Sequence, residues 1–174
     1  MRNRAFAAAL VAALVMIGTS LLSPRAVGLA QQQPRPVIFT AEINFTQELL
    51  ARPSTTPSTG IGAAVLVLSA DRESVSYAFS FTGLTGPVLV AHFHAAGNFG
   101  QNASVVRNLC GTQGTPACEE GKLITGTWSK SDTNQPLTDA LIDALLAGQV
   151  YLNLHTQANP GGELRGQVIP ISGK

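Results

Sequence analysis

The sequence predicts an all-β domain: an antiparallel, Greek-key-like β-sandwich or partly open barrel with one short amphipathic helix. Three observations carry this expectation. Short runs alternate apolar and polar residues with the period of a strand. Stretches rich in Gly, Pro, Asn and Ser separate those runs and supply turn chemistry. One segment alone, around residues 137–147, spaces its apolar residues as a helix does. Many short strands with turn-rich links suit those two layouts.

The chain has 174 residues and opens on Met1-Arg2-Asn3-Arg4, a basic start. A compact apolar run from Ala5 to Ile17 follows, and Gly28 and Ala30 are small residues that suit cleavage before Gln31. Residues 1–30 therefore read as a secretory signal peptide. The apolar run falls short of the ~20 residues a spanning helix wants, which disfavours an uncleaved anchor. No second run of that kind follows, so the mature protein is expected to be secreted or periplasmic, with no membrane span. Losing Arg2, Arg4 and Arg25 leaves eight basic residues against ten acidic ones, a charge near −2. With no basic patch, nucleic acid is not an expected partner. About 144 residues remain, enough for one domain with a single core.

Residues 31–36 form a polar, Pro-containing lead-in. Val37, Phe39, Ala41, Ile43 and Phe45 then alternate with mostly polar neighbours, a strand signal. Gln47 to Gly60 carries Pro53 and Pro57 among Ser and Thr and reads as a long loop. Ala63–Ser69 suits a buried strand, and Asp71-Arg72-Glu73 a hairpin turn. Val75, Tyr77, Phe79 and Phe81 alternate with Ser and Ala in the cleanest strand of the chain. Val88–Ala95, Ser104–Leu109 and Lys122–Trp128 are the next candidates, with Trp128 a core or sheet-edge aromatic.

Leu137, Leu141, Ala144 and Leu145 lie at helical spacing, with Pro136 at the start, Asp139 in the first turn and Gly148 in the position of a C-terminal cap. They predict a helix of about three turns whose stripe covers a sheet edge or one end of the core. Gln149–His155 and Leu164–Ile169 are the last two strands, joined by a loop holding Asn159-Pro160-Gly161-Gly162.

Cys110 and Cys118 flank a loop-like stretch. In an exported protein they are expected to form one disulfide; a redox or metal role is the alternative, against which the spacing speaks.

The chain's three histidines all fall in patterned stretches: His92 and His94 in LVAHFHAAG, His155 in VYLNLHTQANPGGELRGQV. Alternation puts His92 and His94 on one face of their strand, and Tyr151, Asn153 and His155 on one face of theirs. If the last two strands pair with Asn153 opposite Arg165 and Tyr151 opposite Gln167, then His155 faces Glu163. The polar residues cluster, and Leu152, Leu154, Leu164 and Val168 share the other face. A one-residue slip would mix the two sets. Should the His92/His94 strand lie beside this hairpin, three imidazoles converge. Such a set suits copper or zinc with an open position, and Glu163 is a candidate fourth ligand or a partner that fixes a histidine tautomer. The competing reading makes the histidines structural. In it Asn153 and Arg165 belong to a buried network, Arg165 bonding Glu163 or the carbonyls of Asn159 and Gly161. No nucleophile elbow, phosphate-binding loop or dinucleotide fingerprint appears.

Two stretches, PSTGIGAAVLVLSADRESVSYAFSFTGLTGPVLVAHFHAAG and LTDALIDALLAGQVYLNLHTQANPGGELRGQV, resemble the CHRD domain. That domain is named for chordin, an extracellular antagonist of growth-factor signalling, and recurs in bacterial exported proteins. The resemblance spans roughly residues 37–170 and implies a β-sheet domain. It makes His92, His94, His155, Glu163, Arg165 and Gly166 the hallmark positions here, and the stretch from Leu109 to Glu119 an insertion. It implies no activity.

The expected function is binding rather than turnover, with copper or zinc at His92, His94 and His155. An extracellular protein-interaction or structural module without metal is the alternative. A copper enzyme similar to copper–zinc superoxide dismutase is the third, weakened by the lack of a second His and Asp cluster.

Overall fold

A computed structural model describes residues 33–49 and 57–171. The described residues form one compact unit; residues 1–30, read above as a signal peptide, lie outside them. Eight strands form in the order the alternation predicts: β1 Val37–Asn44, β2 Ile61–Leu68, β3 Ser74–Thr82, β4 Val88–Ala95, β5 Ser104–Cys110, β6 Ile124–Ser129, β7 Val150–Thr156 and β8 Leu164–Pro170. The single α-helix, α1, is Asp139–Leu146.

The strands make one sheet in the order β5-β4-β7-β8-β1-β2-β3-β6, every neighbouring pair antiparallel. The sheet curls into a nearly closed barrel, the partly open barrel of the two expected layouts. Its seam lies between β5 and β6. Arg107 on β5 bridges it, donating to the Thr127 carbonyl at 3.0 Å and pairing with Asp132 at 2.8 Å.

Inward-facing residues fill the barrel. Phe39, Leu66, Phe93, Leu109 and Leu152 have no exposed surface. Trp128 is both a core and an edge residue: it sits on β6, stacks 6.0 Å from Phe93 and donates its N–H to the Gln135 carbonyl at 2.7 Å. Gly166 on β8 stands where the backbone of β1 comes close. A Cβ there would stand 2.7 Å from the Glu42 carbonyl oxygen and 2.8 Å from Ile43 Cγ1.

Local chemistry trims two elements. β1 stops at Asn44 because the Asn44 side chain turns back to accept from Gln47 N–H at 3.1 Å, capping a 3-10 turn over Phe45–Gln47. The helix is two turns rather than three. Thr138 takes an extended conformation and caps it, accepting from Leu141 N–H at 3.3 Å, so Leu137 and Pro136 lie before the first turn. Leu137 is still buried, beside Ile142, Ala144 and Leu145. At the other end Gly148, at φ 70°, closes a Schellman motif, with Gly148 N–H to Leu145 O at 3.0 Å and Gln149 N–H to Ala144 O at 2.8 Å.

The sulfurs of Cys110 and Cys118 lie at disulfide-bonding distance and close the loop at the end of β5.

Candidate metal centre

The β7–β8 hairpin takes the register its two-faced pattern demands, with Asn153 opposite Arg165, Tyr151 opposite Gln167 and Leu154 opposite Leu164. Strand β4 lies on the other side of β7, His92 opposite Asn153 and Val90 opposite His155. His155 is thus a diagonal neighbour of His92, close enough for long side chains to meet. Irregularities in the β4–β5 ladder flank His92 and His94; such bulges re-aim side chains.

This polar face points away from the barrel interior, yet most of it is buried. The tail of the 3-10 turn and the loop after β4 roof it. Gln47 accepts from Gln167 N–H at 3.0 Å, and Gln167 donates through its side-chain amide to Gly97 O at 2.9 Å and Gly148 O at 2.7 Å. Arg165 donates to Asn98 O at 3.3 Å and Gln167 Oε1 at 3.1 Å, and Asn153 donates to Glu48. Arg165 is 1 % exposed.

Under this roof the three imidazoles converge. Ring centroids stand 5.2 Å apart for His92 and His155, 5.9 Å for His92 and His94, and 6.3 Å for His94 and His155. One ring nitrogen from each lies within 4.8 Å of the other two. Two of the rings are oriented by backbone: His94 Nδ1–H donates to Ala103 O at 2.9 Å, and His155 Nδ1–H to Pro160 O at 3.0 Å. Each therefore turns Nε2, with its lone pair, toward the cluster. Those two Nε2 atoms and His92 Nδ1 are buried and without a hydrogen-bond partner. A buried acceptor without a partner costs free energy, and here three stand together.

The electrostatics keep the rings neutral. Burial is the main cause in each case. It pushes His92 down to about 4, helped by the charges its two neighbours would carry. It also lowers His94 and His155, against the opposing pull of their carbonyl partners. A neutral imidazole is the form that binds a metal.

Tyr151 supports His94 from below. The rings stack at 4.6 Å and 6°, and the Tyr151 hydroxyl accepts from Ala103 N–H at 3.0 Å, holding the peptide whose carbonyl orients His94. The Arg165 guanidinium lies 3.5 Å from the Tyr151 ring centroid.

Glu163 is not at this centre, and that corrects its expected role. Its carboxylate turns to the far end of the hairpin, where it accepts from Ser58 Oγ at 2.6 Å, Thr85 N–H at 2.8 Å, Thr85 Oγ1 at 2.7 Å, Thr156 Oγ1 at 2.5 Å and Asn159 Nδ2 at 3.2 Å. It ties three loops together. Arg165 accordingly bonds neither Glu163 nor the carbonyls of Asn159 and Gly161. The single network expected around His155, Glu163 and Arg165 is two separate networks. Glu48 belongs to the segment from Gln47 to Gly60 expected to be a long loop. It is buried and sits between Asn153 and Arg165, and burial raises its pKa despite those two partners. No pattern marks an acid in such a loop.

All these residues fall within residues 39–168, which match the family model of the CHRD domain. The chain belongs to the CHRD domain family. No curated protein and no solved structure matches it. The CHRD match begins inside β1 and ends inside β8, so it takes in six strands whole, most of the other two, and the histidine cluster. Among the described residues of this CHRD protein, no helix is long and apolar enough to cross a membrane.

Proposed function

We propose that this CHRD-domain protein is an exported binding protein that holds a transition metal, copper or zinc, at His92, His94 and His155. One observation carries the reading: three histidines that each bring one ring nitrogen within 4.8 Å of the others and each hold a buried ring nitrogen without a hydrogen-bond partner. Metal–imidazole bonds run about 2.0–2.1 Å, so nitrogens across one ion stand at most about 4 Å apart, and small ring rotations close the gap. Backbone carbonyls behind His94 and His155 are the usual outer partners of ligating histidines. Export is supported by the paired cysteines, which persist in oxidising compartments. In this reading the role is binding: among the described residues the cluster offers three imidazole ligands, with no carboxylate or thiolate beside them.

Copper and zinc titration of residues 31–174, read by native mass spectrometry, tests this. A one-to-one complex is expected. The double variant His92→Ala/His94→Ala should lose it while keeping the β-sheet circular dichroism of the parent. Unchanged binding in that variant sinks the metal reading. No binding by the parent leaves an extracellular interaction module with structural histidines. Superoxide turnover by the copper-loaded protein would make it an enzyme instead.

A further inference from the structure

Imidazole nitrogens accept zinc and copper alike, so the donor atoms do not choose among ions; the surrounding charge does. Among the described residues no carboxylate or thiolate joins the three rings. The two buried acids are engaged elsewhere, Glu163 with its hydroxyl and amide donors and Glu48 with Asn153. On the inner side stands a column of planar groups. The His94 ring lies on one face of Tyr151 at 4.6 Å, and the Arg165 guanidinium is 3.5 Å from that ring's centroid, which places it on the other face. Water does not screen this cation, since Arg165 is 1 % exposed. One of its terminal nitrogens has no hydrogen-bond partner to take up the charge.

We propose that the three-histidine site selects monovalent copper over divalent ions, and that Arg165 sets this preference through the Tyr151–His94 column. This rests on the metal reading above. A divalent ion adds two positive charges beside a buried guanidinium with no anionic ligand to offset them; copper(I) adds one. The two stacking distances put the Arg165 charge about 8 Å from the His94 ring, and a metal on Nε2 lies beyond that ring; over about 8–12 Å at an effective dielectric near 20, each further unit of metal charge is disfavoured by roughly ten- to thirtyfold. Glu48, beside Arg165, returns part of this. Tyr151 and Arg165 are positioning residues and touch no metal.

The test is a pair of competition titrations of residues 31–174, with a chromophoric copper(I) chelator under anaerobic reducing conditions and a copper(II) chelator in air. The quantity read is the ratio of the two affinities. Arg165→Met should move the ratio toward copper(II) by at least about tenfold, which lowers the one-electron midpoint potential by about 59 mV. Glu48→Gln keeps an acceptor for Asn153 and should move the ratio toward copper(I). If Arg165→Met does not fold, Glu48→Gln decides. A ratio that neither Arg165→Met nor Glu48→Gln moves by more than about threefold overturns the proposal, as does a parent that holds zinc or copper(II) more tightly than copper(I). A parent that binds copper in neither valence overturns the three-histidine reading itself.

Discussion

Glu163→Gln is a sharp test of what holds the loops at the far end of the barrel. Glu163 has no exposed surface, and its five hydrogen-bond donors are all neutral groups. Glutamine keeps one acceptor oxygen, enough for Ser58 and the Thr85 N–H. Its amide nitrogen then faces Thr85, Thr156 and Asn159. The two hydroxyls can rotate and accept, but Asn159 Nδ2 as placed then faces another donor. Hydrogen bonds to a charged group contribute about 1.5–3 kcal/mol each and an unmet buried donor costs about 1–3, so the exchange should cost about 2–4 kcal/mol. For a domain of this size that lowers Tm by roughly 6–12 °C, readable by circular dichroism at neutral pH. The loss should also depend on pH. Burial works to raise the Glu163 pKa, yet the hydrogen bonds from Ser58, Thr156 and Thr85 outweigh it and hold the carboxyl below its ordinary value. A depressed folded-state pKa stabilises above the unfolded value of about 4.3 and ceases to do so as pH falls through the folded one. The gap between parent and variant should therefore shrink below about pH 4. A Tm change under about 2 °C, or parallel pH profiles, would refute the reasoning.

Two further outcomes are expected. The neutral ring is the ligating form, and all three histidines are lowered, His92 to about 4. Metal affinity by calorimetry should therefore hold through the ordinary histidine value near 6.5 and fall only at lower pH, with His92 the last ring to charge, near 4; a loss centred near 6.5 would mean the rings titrate as exposed histidines. Replacing Cys110 and Cys118 together by Ala should lower unfolding stability by about 2–3 kcal/mol in a urea titration. A cost under about 0.5 kcal/mol would mean the turn bonds between Thr112 and Thr115 already order the loop.

The parts of this molecule with a repeating pattern were legible from residues alone. The β7–β8 register follows from Tyr151, Asn153, Arg165 and Gln167 on one face and leucines on the other, because a slip would place an arginine in the barrel. His92 and His94 share a face for the same reason. Whether β4 lies beside β7 is a matter of topology, which alternation does not encode. The destination of Glu163 was hidden because strand pairing fixes where a side chain starts, while the loops beyond the hairpin decide where its carboxylate ends. Glu48 was invisible because its burial depends on a roof folding back over the sheet. The leucine spacing extended the apparent helix past Thr138, which caps it.

The seam of the barrel has a consequence for life in crowded surroundings. An open sheet of eight strands has two raw edges, each a row of free amides and carbonyls that could template the addition of another chain. Here those edges belong to β5 and β6, and the curl of the sheet brings them together, with the Arg107 side chain spanning the gap to the Thr127 carbonyl and Asp132. A guanidinium thus replaces a rung of ladder, and each edge shields the other from recruitment into fibrils.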